Sequence, residues 1–167
     1  MVNVPEAVWI DEAGTIVRPA ENAGSFDAFR VRDRVTGIVP ANAANATRRA
    51  REIYLNAIRD WVGNGARSPH VLDPASARSQ MRAASDDSER AHALFRLGNH
   101  LLRLDRKAEA QRYFAEAISR HPDSWNIWRQ VAEKTETGFA ASPAFWARVD
   151  ALGPRRYRER ASIEGLP

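Results

Sequence analysis

The stretch that decides the fold is residues 91–124, which read AHALFRLGNHLLRLDRKAEAQRYFAEAISRHPDS. Apolar residues recur at three and four positions on both sides of the turn at Asp105, which is the period of two amphipathic helices. Gly98 and Ala110 are small enough to let two helices approach closely, and Phe114 is large enough to fill the space beside them. The stretch therefore predicts an antiparallel helix pair.

This helix pair resembles the tetratricopeptide repeat, whose pattern is W-x2-L-G-x2-Y, then A-x3-F, then P. The matching residues are Leu94, Leu97, Gly98, Leu101, Ala110, Phe114, Ala117 and Pro122. A generic helical hairpin would match the large apolar positions by chance, but rarely the small residues and the proline as well. One repeat length further along, Trp128 and Val131 begin a second, divergent repeat, in which Arg148 stands where a large apolar residue belongs.

The resemblance implies a surface that binds a protein or peptide partner, with the first helix of each repeat lining its concave side. The predicted groove residues are His92, Phe95, Asn99, Leu102, Arg103 and Arg129. Asn99 and Arg103 could hold a peptide backbone or a carboxylate. The alternative is that the C-terminal helix or the N-terminal region of the same chain fills this groove.

The charge and composition of the chain limit which other classes of partner are expected. The 167 residues carry a formal net charge of +4, and Lys107 and Lys134 are the only lysines. Most arginines alternate with acidic residues along the predicted helices, which is typical of solvated helix faces, so nucleic acid is not the expected partner. The arginines from Arg155 to Arg160 are interpreted as a solvated basic tail, with salt-dependent polyanion binding near Tyr157 as the alternative.

No apolar run is long enough to cross a bilayer, and the N-terminus lacks the basic flank and apolar stretch of a signal peptide. We therefore expect a cytoplasmic protein without a membrane partner. The chain has no cysteine, which excludes disulfides and thiol chemistry by these residues. His70, His92, His100 and His121 show no metal-ligand spacing, and we expect no metal and no cofactor.

Before the helix pair, residues 7–11 and 15–18 predict two strands around a turn at Gly14, with Pro19 ending the second strand. Residues 20–42 predict a long loop that contains a short strand or a helical turn near residues 26–35. A strong apolar stripe runs from Ala46 to the stop at residues 63–65, and residues 73–84 predict a short helix capped by Asp73. Residues 142 and 143 predict the start of a last helix.

The segment from Asn3 to Val17 resembles the second half of a thioredoxin-like domain, in which a cis-proline leads into a strand, a turn, a second strand and a closing helix. Pro5 matches that proline, and the stripe from Ala50 to Val62 matches the helix. The order also resembles bacterial ResA-like redoxins that carry a tetratricopeptide extension. The resemblance implies a parent thiol-disulfide or selenol oxidoreductase, of which the cysteine-bearing half is missing here.

Two hypotheses explain the missing half: either the gene has lost it, or the start at Met1 was assigned too far downstream, past a selenocysteine codon read as a stop. The first strand would then lack its usual neighbour. Because an exposed strand edge pairs readily with another chain, we expect a homodimer or instability through this edge, unless residues 20–41 fold back over it.

The sequence thus predicts a mainly α protein with tetratricopeptide-type hairpins after a partial thioredoxin-like β-hairpin and helix. Its expected divisions are a redoxin-like segment at 1–66, a linker and short helix at 67–85, the helical repeat region at 86–154 and a basic tail at 155–167. The expected function is a non-catalytic protein-interaction module. The alternative is the C-terminal portion of an oxidoreductase.

Overall fold

The computed structural model describes residues 5–81, 85–136, 138 and 141–167. The predictions that fall on Asn3, Val4, Ala84 and Thr137 lie outside the described residues. The elements are β1 Glu6–Ile10, β2 Ile16–Asn22, α1 Ala41–Asn64, α2 Pro74–Gln80, α3 Asp86–Arg103, α4 Lys107–Arg120, α5 Trp125–Val131 and α6 Pro143–Asp150, with short 3-10 turns at Ala28–Val31 and Gly65–Arg67. The predicted mainly helical fold with a small antiparallel sheet is confirmed.

The chain divides into two compact units. The first, here called the N-terminal unit, comprises residues 4–82 together with 152–167. The second, the repeat unit, spans residues 83–151.

In the N-terminal unit, β1 and β2 form an antiparallel hairpin that packs on α1. Trp9 of β1 is buried, and its indole nitrogen donates a hydrogen bond to the Tyr54 hydroxyl at 2.9 Å. The Trp9 ring also stacks on Trp61, with 5.0 Å between the centroids. A single aromatic residue therefore joins the sheet to two turns of the helix.

The prediction that Pro19 ends the second strand was wrong, because β2 continues to Asn22. Proline has no N–H to give to a strand ladder, so it is tolerated in a sheet mainly at edges and bulges. The register is irregular at this point: Ala7 pairs with Glu21 and Trp9 with Arg18, which leaves Pro19 outside the regular pairs. This irregularity accommodates the proline.

Helix α1 begins at Ala41 instead of Ala46. The extra turn carries the residues ANAAN, whose small side chains give too weak an apolar pattern to predict a helix, although Ala43 is buried. The predicted stop is confirmed: the helix ends at Asn64, and Gly65 follows with a φ of +56°.

The C-terminal residues do not form the solvated tail that the sequence predicted. Tyr157, Ala161 and Ile163 are buried, and the last two pack into the cluster that contains Trp9 and Tyr54. The Asp27 carboxylate accepts hydrogen bonds from the backbone N–H groups of Tyr157 and Arg158, at 2.9 and 3.1 Å. These partners lie about 130 positions apart, so no local pattern could reveal them.

A buried ion pair stands beside Trp9 in the same unit. The Arg18 guanidinium donates two hydrogen bonds to the Glu21 carboxylate, at 2.9 and 2.8 Å, and a third to the His70 carbonyl at 2.7 Å. The Tyr54 hydroxyl donates to Glu21 at 3.0 Å. Burial, reinforced by the charge of Glu21, raises the pKa of Tyr54 well above its ordinary range, so this hydroxyl keeps its proton.

In the repeat unit, α3 and α4 form the predicted antiparallel pair, joined by a turn in which Asp105 takes a φ of +58°. The buried residues between them are the small and large apolar residues of the pattern: Ala91, Leu101, Ala110, Phe114 and Ala117. Ile127 of α5 completes this core, so the third helix covers part of the apolar face that a lone pair would expose.

The helix start predicted at residues 142 and 143 is confirmed: the Ser142 hydroxyl accepts a hydrogen bond from the N–H of Phe145 in α6. The Ser124 hydroxyl caps α5 in the same way, accepting from the N–H of Ile127. Aromatic rings pack between these helices, with Phe145 6.1 Å from both Trp125 and Trp128.

Arg148, at a position where the sequence pattern predicted a large apolar residue, packs against two aromatic rings. Its guanidinium lies 4.9 Å from the Trp125 ring centroid and 5.1 Å from that of Trp128, so its apolar stem and cation–π contact substitute for an aliphatic side chain.

Gly98 marks the closest approach of α3 and α4. A Cβ atom at this position would lie 2.5 Å from Cε1 of the buried Phe114 ring. We expect Gly98→Ala to lower the free energy of unfolding by about 1–2 kcal/mol, because overpacking outweighs the gain in helix propensity. Gly63→Ala is the matched control, since Gly63 is also helical but has nothing within 4 Å of its added Cβ; it should stabilise α1 by about 0.5–1 kcal/mol. Urea denaturation followed by circular dichroism measures both, and a stabilising Gly98→Ala would contradict the close packing.

Candidate functional site

The candidate site is an open groove between α3 and α5 within the repeat unit, with a volume of about 500 Å³. Eight residues line it: Glu89, His92, Ala93, Phe95, Arg96, Asn126, Ile127 and Gln130. We call this surface the α3–α5 groove.

One wall of the groove is a face of α3. Glu89, Ala93 and Arg96 follow one another at the four- and three-residue spacing that keeps side chains on one side of a helix. The seven positions between the acidic and the basic residue correspond to about 10 Å along the helix axis. This wall therefore carries a negative charge at one end, a positive charge at the other and a small residue between them.

The other wall is α5, where Asn126 and Gln130 are four residues apart on one face. Primary amides can donate and accept hydrogen bonds at once, which matches the alternating N–H and C=O groups of a peptide backbone. Beneath them Ile127 is buried and gives the groove an apolar floor.

His92 lies in the groove and is half-buried. Its ring meets that of His121 edge to face, at 5.9 Å between centroids. Burial lowers the pKa of His92 below its ordinary 6.5, and repulsion from His121 and Arg96 acts in the same direction. This environment therefore favours the neutral form of the imidazole.

Phe95 also lines the groove, and its ring packs on Phe114 at 5.7 Å between centroids. Asn99, by contrast, is not part of the groove lining. Its side-chain amide donates to the carbonyl of Phe95 one turn earlier, at 3.0 Å. In this structure the Asn99 N–H group is thus bonded to its own helix and not turned toward a partner.

The remaining predicted residues lie elsewhere. Leu102 and Arg103 are exposed near the end of α3, and the Arg129 guanidinium lies 5.8 Å from the Phe145 ring centroid. Pro5 is exposed directly before β1, and its carbonyl accepts a hydrogen bond from Ala23 at 3.2 Å. Of the predicted groove residues, the structure brings only His92 and Phe95 into the α3–α5 groove.

Sequence reasoning missed the five polar and small lining residues Glu89, Ala93, Arg96, Asn126 and Gln130. The helical period could have found the three on α3, which lie one residue or one turn from His92. To predict the two on α5, one would have to know the angle at which that helix packs.

Among the described residues, no three or more His, Asp or Glu side chains gather in a way that could hold a metal ion. Nor does any helix in that part of the chain combine the length and apolar character needed to cross a bilayer.

Comparison with protein families identifies one repeat in this unit. The family model described as the tetratricopeptide repeat matches residues 90–133, which take in most of α3 and all of α4 and α5. No curated protein and no solved structure matches the chain. The prediction of a tetratricopeptide repeat is therefore confirmed, and repeats of this kind typically mediate protein interactions.

Proposed function

We propose that this chain is a non-catalytic protein-interaction module whose α3–α5 groove binds an extended peptide segment of a partner protein. The observation that carries the proposal is the groove itself: it lies on the matched repeat and combines an apolar floor, two amides and a pair of opposite charges. The complete absence of cysteine excludes thiol catalysis by these residues.

The charges also give the bound peptide a direction. About 10 Å along α3 separates Glu89 from Arg96, and an extended strand covers that distance in about three residues. A peptide with a basic residue near Glu89 and an acidic residue three positions away near Arg96 would complement both ends. The amides of Asn126 and Gln130 would bond to its backbone.

The test is a selection from a phage-displayed library of random peptides on the full chain. We expect enrichment of sequences with a basic and an acidic residue three positions apart. Ala93→Arg, which places a long side chain in the groove, should weaken the selected peptides at least tenfold, or about 1.4 kcal/mol, in fluorescence anisotropy.

Ala115→Arg is the matched control, because Ala115 is an exposed alanine of α4 outside the groove lining. This variant should bind the selected peptides like the wild type. If no peptide is enriched, or if both arginine variants weaken binding equally, the groove is not the binding site.

The second candidate is that the N-terminal unit is the closing part of a thioredoxin-like domain, and its parent an oxidoreductase. The supporting observation is the order of elements, in which Pro5 precedes a hairpin and α1 packs across it through Trp9 and Tyr54. Sequencing the DNA upstream of the Met1 codon tests this. An in-frame redoxin segment with a cysteine or UGA codon supports a redoxin parent whose start was assigned too far downstream. A conventional stop after unrelated sequence excludes that explanation and leaves loss of the redoxin half from the gene.

Dimerisation through β1 also stays a proposal. In the described residues the hairpin is a two-stranded sheet, and Val8 and Ile10 of β1 are exposed apolar residues. An edge of this kind favours pairing with a second copy. Light scattering coupled to size exclusion should show a dimer that Ile10→Lys converts to a monomer, because a charge blocks edge pairing. Val62→Lys, at an exposed valine of α1, is the control, and a monomeric wild type would contradict the proposal.

A further inference from the structure

One surface of the N-terminal unit is formed by two arginine-rich segments that are far apart in the sequence. The first is residues 27–34, and the second is residues 153–160. The Arg30 guanidinium donates to the carbonyls of Gly153 and Arg155, each at 2.8 Å. The Arg158 guanidinium lies 3.3 Å from the Asp27 carboxylate, so contacts at both ends hold the two segments side by side.

The chain's surplus charge is concentrated on this surface. The two segments hold seven arginines, namely Arg30, Arg32, Arg34, Arg155, Arg156, Arg158 and Arg160. Against them stand three acidic residues, Asp27, Asp33 and Glu159, which leaves a net charge of +4. That value equals the formal net charge of all 167 residues, so the rest of the chain is neutral in sum.

Exposed apolar side chains stand among these arginines. Val31, Val35 and Ile38 are 57%, 96% and 66% exposed, and Val35 is the most exposed large apolar residue in the described chain. Moving exposed valine and isoleucine side chains out of water lowers the free energy of the system. The surface therefore offers both positive charge and apolar tips.

The loop that carries these tips is ordered by its own hydrogen bonds. The Asp33 carboxylate accepts from the N–H groups of Val35 and Thr36, and the Asp33 N–H donates to the carbonyl of Ile38 at 2.8 Å. Gly37 supplies the φ of +73° that closes the turn. A turn held in this way presents Val35 without an added ordering cost on binding.

We propose that this surface docks on a membrane bearing anionic lipid headgroups, with the exposed Arg155, Arg156 and Arg160 on the phosphates and the tips of Val35 and Ile38 in the interface. A peripheral contact of this kind needs no membrane-spanning segment. It differs from the expectation, drawn from the sequence, that the protein has no membrane partner. Duplex nucleic acid would use the same arginines, but it would leave both aliphatic tips in water. The apolar tips therefore favour the lipid surface.

Co-sedimentation of the full chain with vesicles tests the proposal. We expect binding to phosphatidylcholine vesicles that contain about one third phosphatidylserine, weakening as salt rises, and none to pure phosphatidylcholine. Arg155→Glu with Arg156→Glu, both exposed, should reduce affinity at least 25-fold, at about fivefold for each of the two positive charges lost near the surface. Arg103→Glu with Arg112→Glu, on exposed helix positions of the repeat unit, makes the same change in net charge and should leave binding near the wild-type value.

The apolar part is tested separately. Val35→Ser with Ile38→Ser should weaken vesicle binding about tenfold, whereas Val62→Ser should not. Binding to a short DNA duplex, measured by fluorescence anisotropy, is the comparison. Two results would overturn the proposal: no binding to anionic vesicles, or duplex binding tighter than vesicle binding together with an unaffected serine variant, which would identify a general polyanion surface.

Discussion

Replacing Arg18 by Met is expected to lower the free energy of unfolding by about 3–5 kcal/mol. Arg18 is 1% exposed, and its guanidinium holds both oxygens of the Glu21 carboxylate, whose side chain is itself only 9% exposed. Methionine fills a similar volume but leaves that carboxylate buried without its counter-charge. Urea denaturation followed by tryptophan fluorescence measures the change, because Trp9 packs beside the pair.

The chain contains a matched control for this substitution. Arg106 and Glu109 form an ion pair with the same three-residue spacing and the same two hydrogen bonds, but their side chains are 53% and 46% exposed. Arg106→Met should change stability little, since exposed pairs are screened by water. Adding Glu21→Gln to Arg18→Met should recover part of the loss by removing the buried charge. Equal losses for the buried and exposed pairs would contradict the role given to burial.

Replacing Gly24 by Ala should cost about 2–4 kcal/mol. Gly24 has a φ of +69°, and an added Cβ would lie 2.5 Å from Tyr54 Cβ and 2.9 Å from the Ala50 carbonyl oxygen. The carbonyl oxygen is a backbone atom of α1 and the Cβ atom is fixed directly to that backbone, so neither can move away by a side-chain rotation. The added methyl group pushes the loop after β2 away from α1, against which the loop packs. Thermal unfolding followed by circular dichroism measures the resulting loss of stability.

Gly14→Ala isolates the conformational part of that cost. Gly14 has a similar φ of +81° in the hairpin turn, but nothing lies within 4 Å of its added Cβ. It should lose only about 1–2 kcal/mol, the price of a left-handed conformation for a residue with a side chain. If both variants lose the same amount, the close approach of the loop to α1 does not contribute.

The helical repeat was the most predictable part of the fold, because its signals are local. The caps at Asp73 and Ser142 act within one turn of their own position, and Gly98 meets the Phe114 ring in the helix that follows directly. The predictions were wrong where residues that are distant in the sequence determine the local structure. Pro19 stays in its strand because the pairing with β1 is irregular there, and Tyr157 is buried because Asp27 binds its backbone.

Only two of the eight groove-lining residues were predicted, for the same reason. His92 and Phe95 follow from the period of α3 alone. On α5, one repeat length selects Arg129, but its guanidinium lies against the Phe145 ring, and the neighbouring Asn126 and Gln130 line the groove instead. The face of α5 that meets α3 depends on how the two helices pack, and residue spacing alone does not give that packing.

The central claim is that the α3–α5 groove holds a partner peptide, and chemical-shift mapping tests it most directly. A peptide from the library selection is titrated into the ¹⁵N-labelled full chain. We expect the largest shifts to fall on five lining residues, Glu89, Ala93, Arg96, Asn126 and Gln130, and those of α6 and the N-terminal unit to change little. Shifts concentrated on β1, on residues 27–38, or on the outer face of α4 would contradict it.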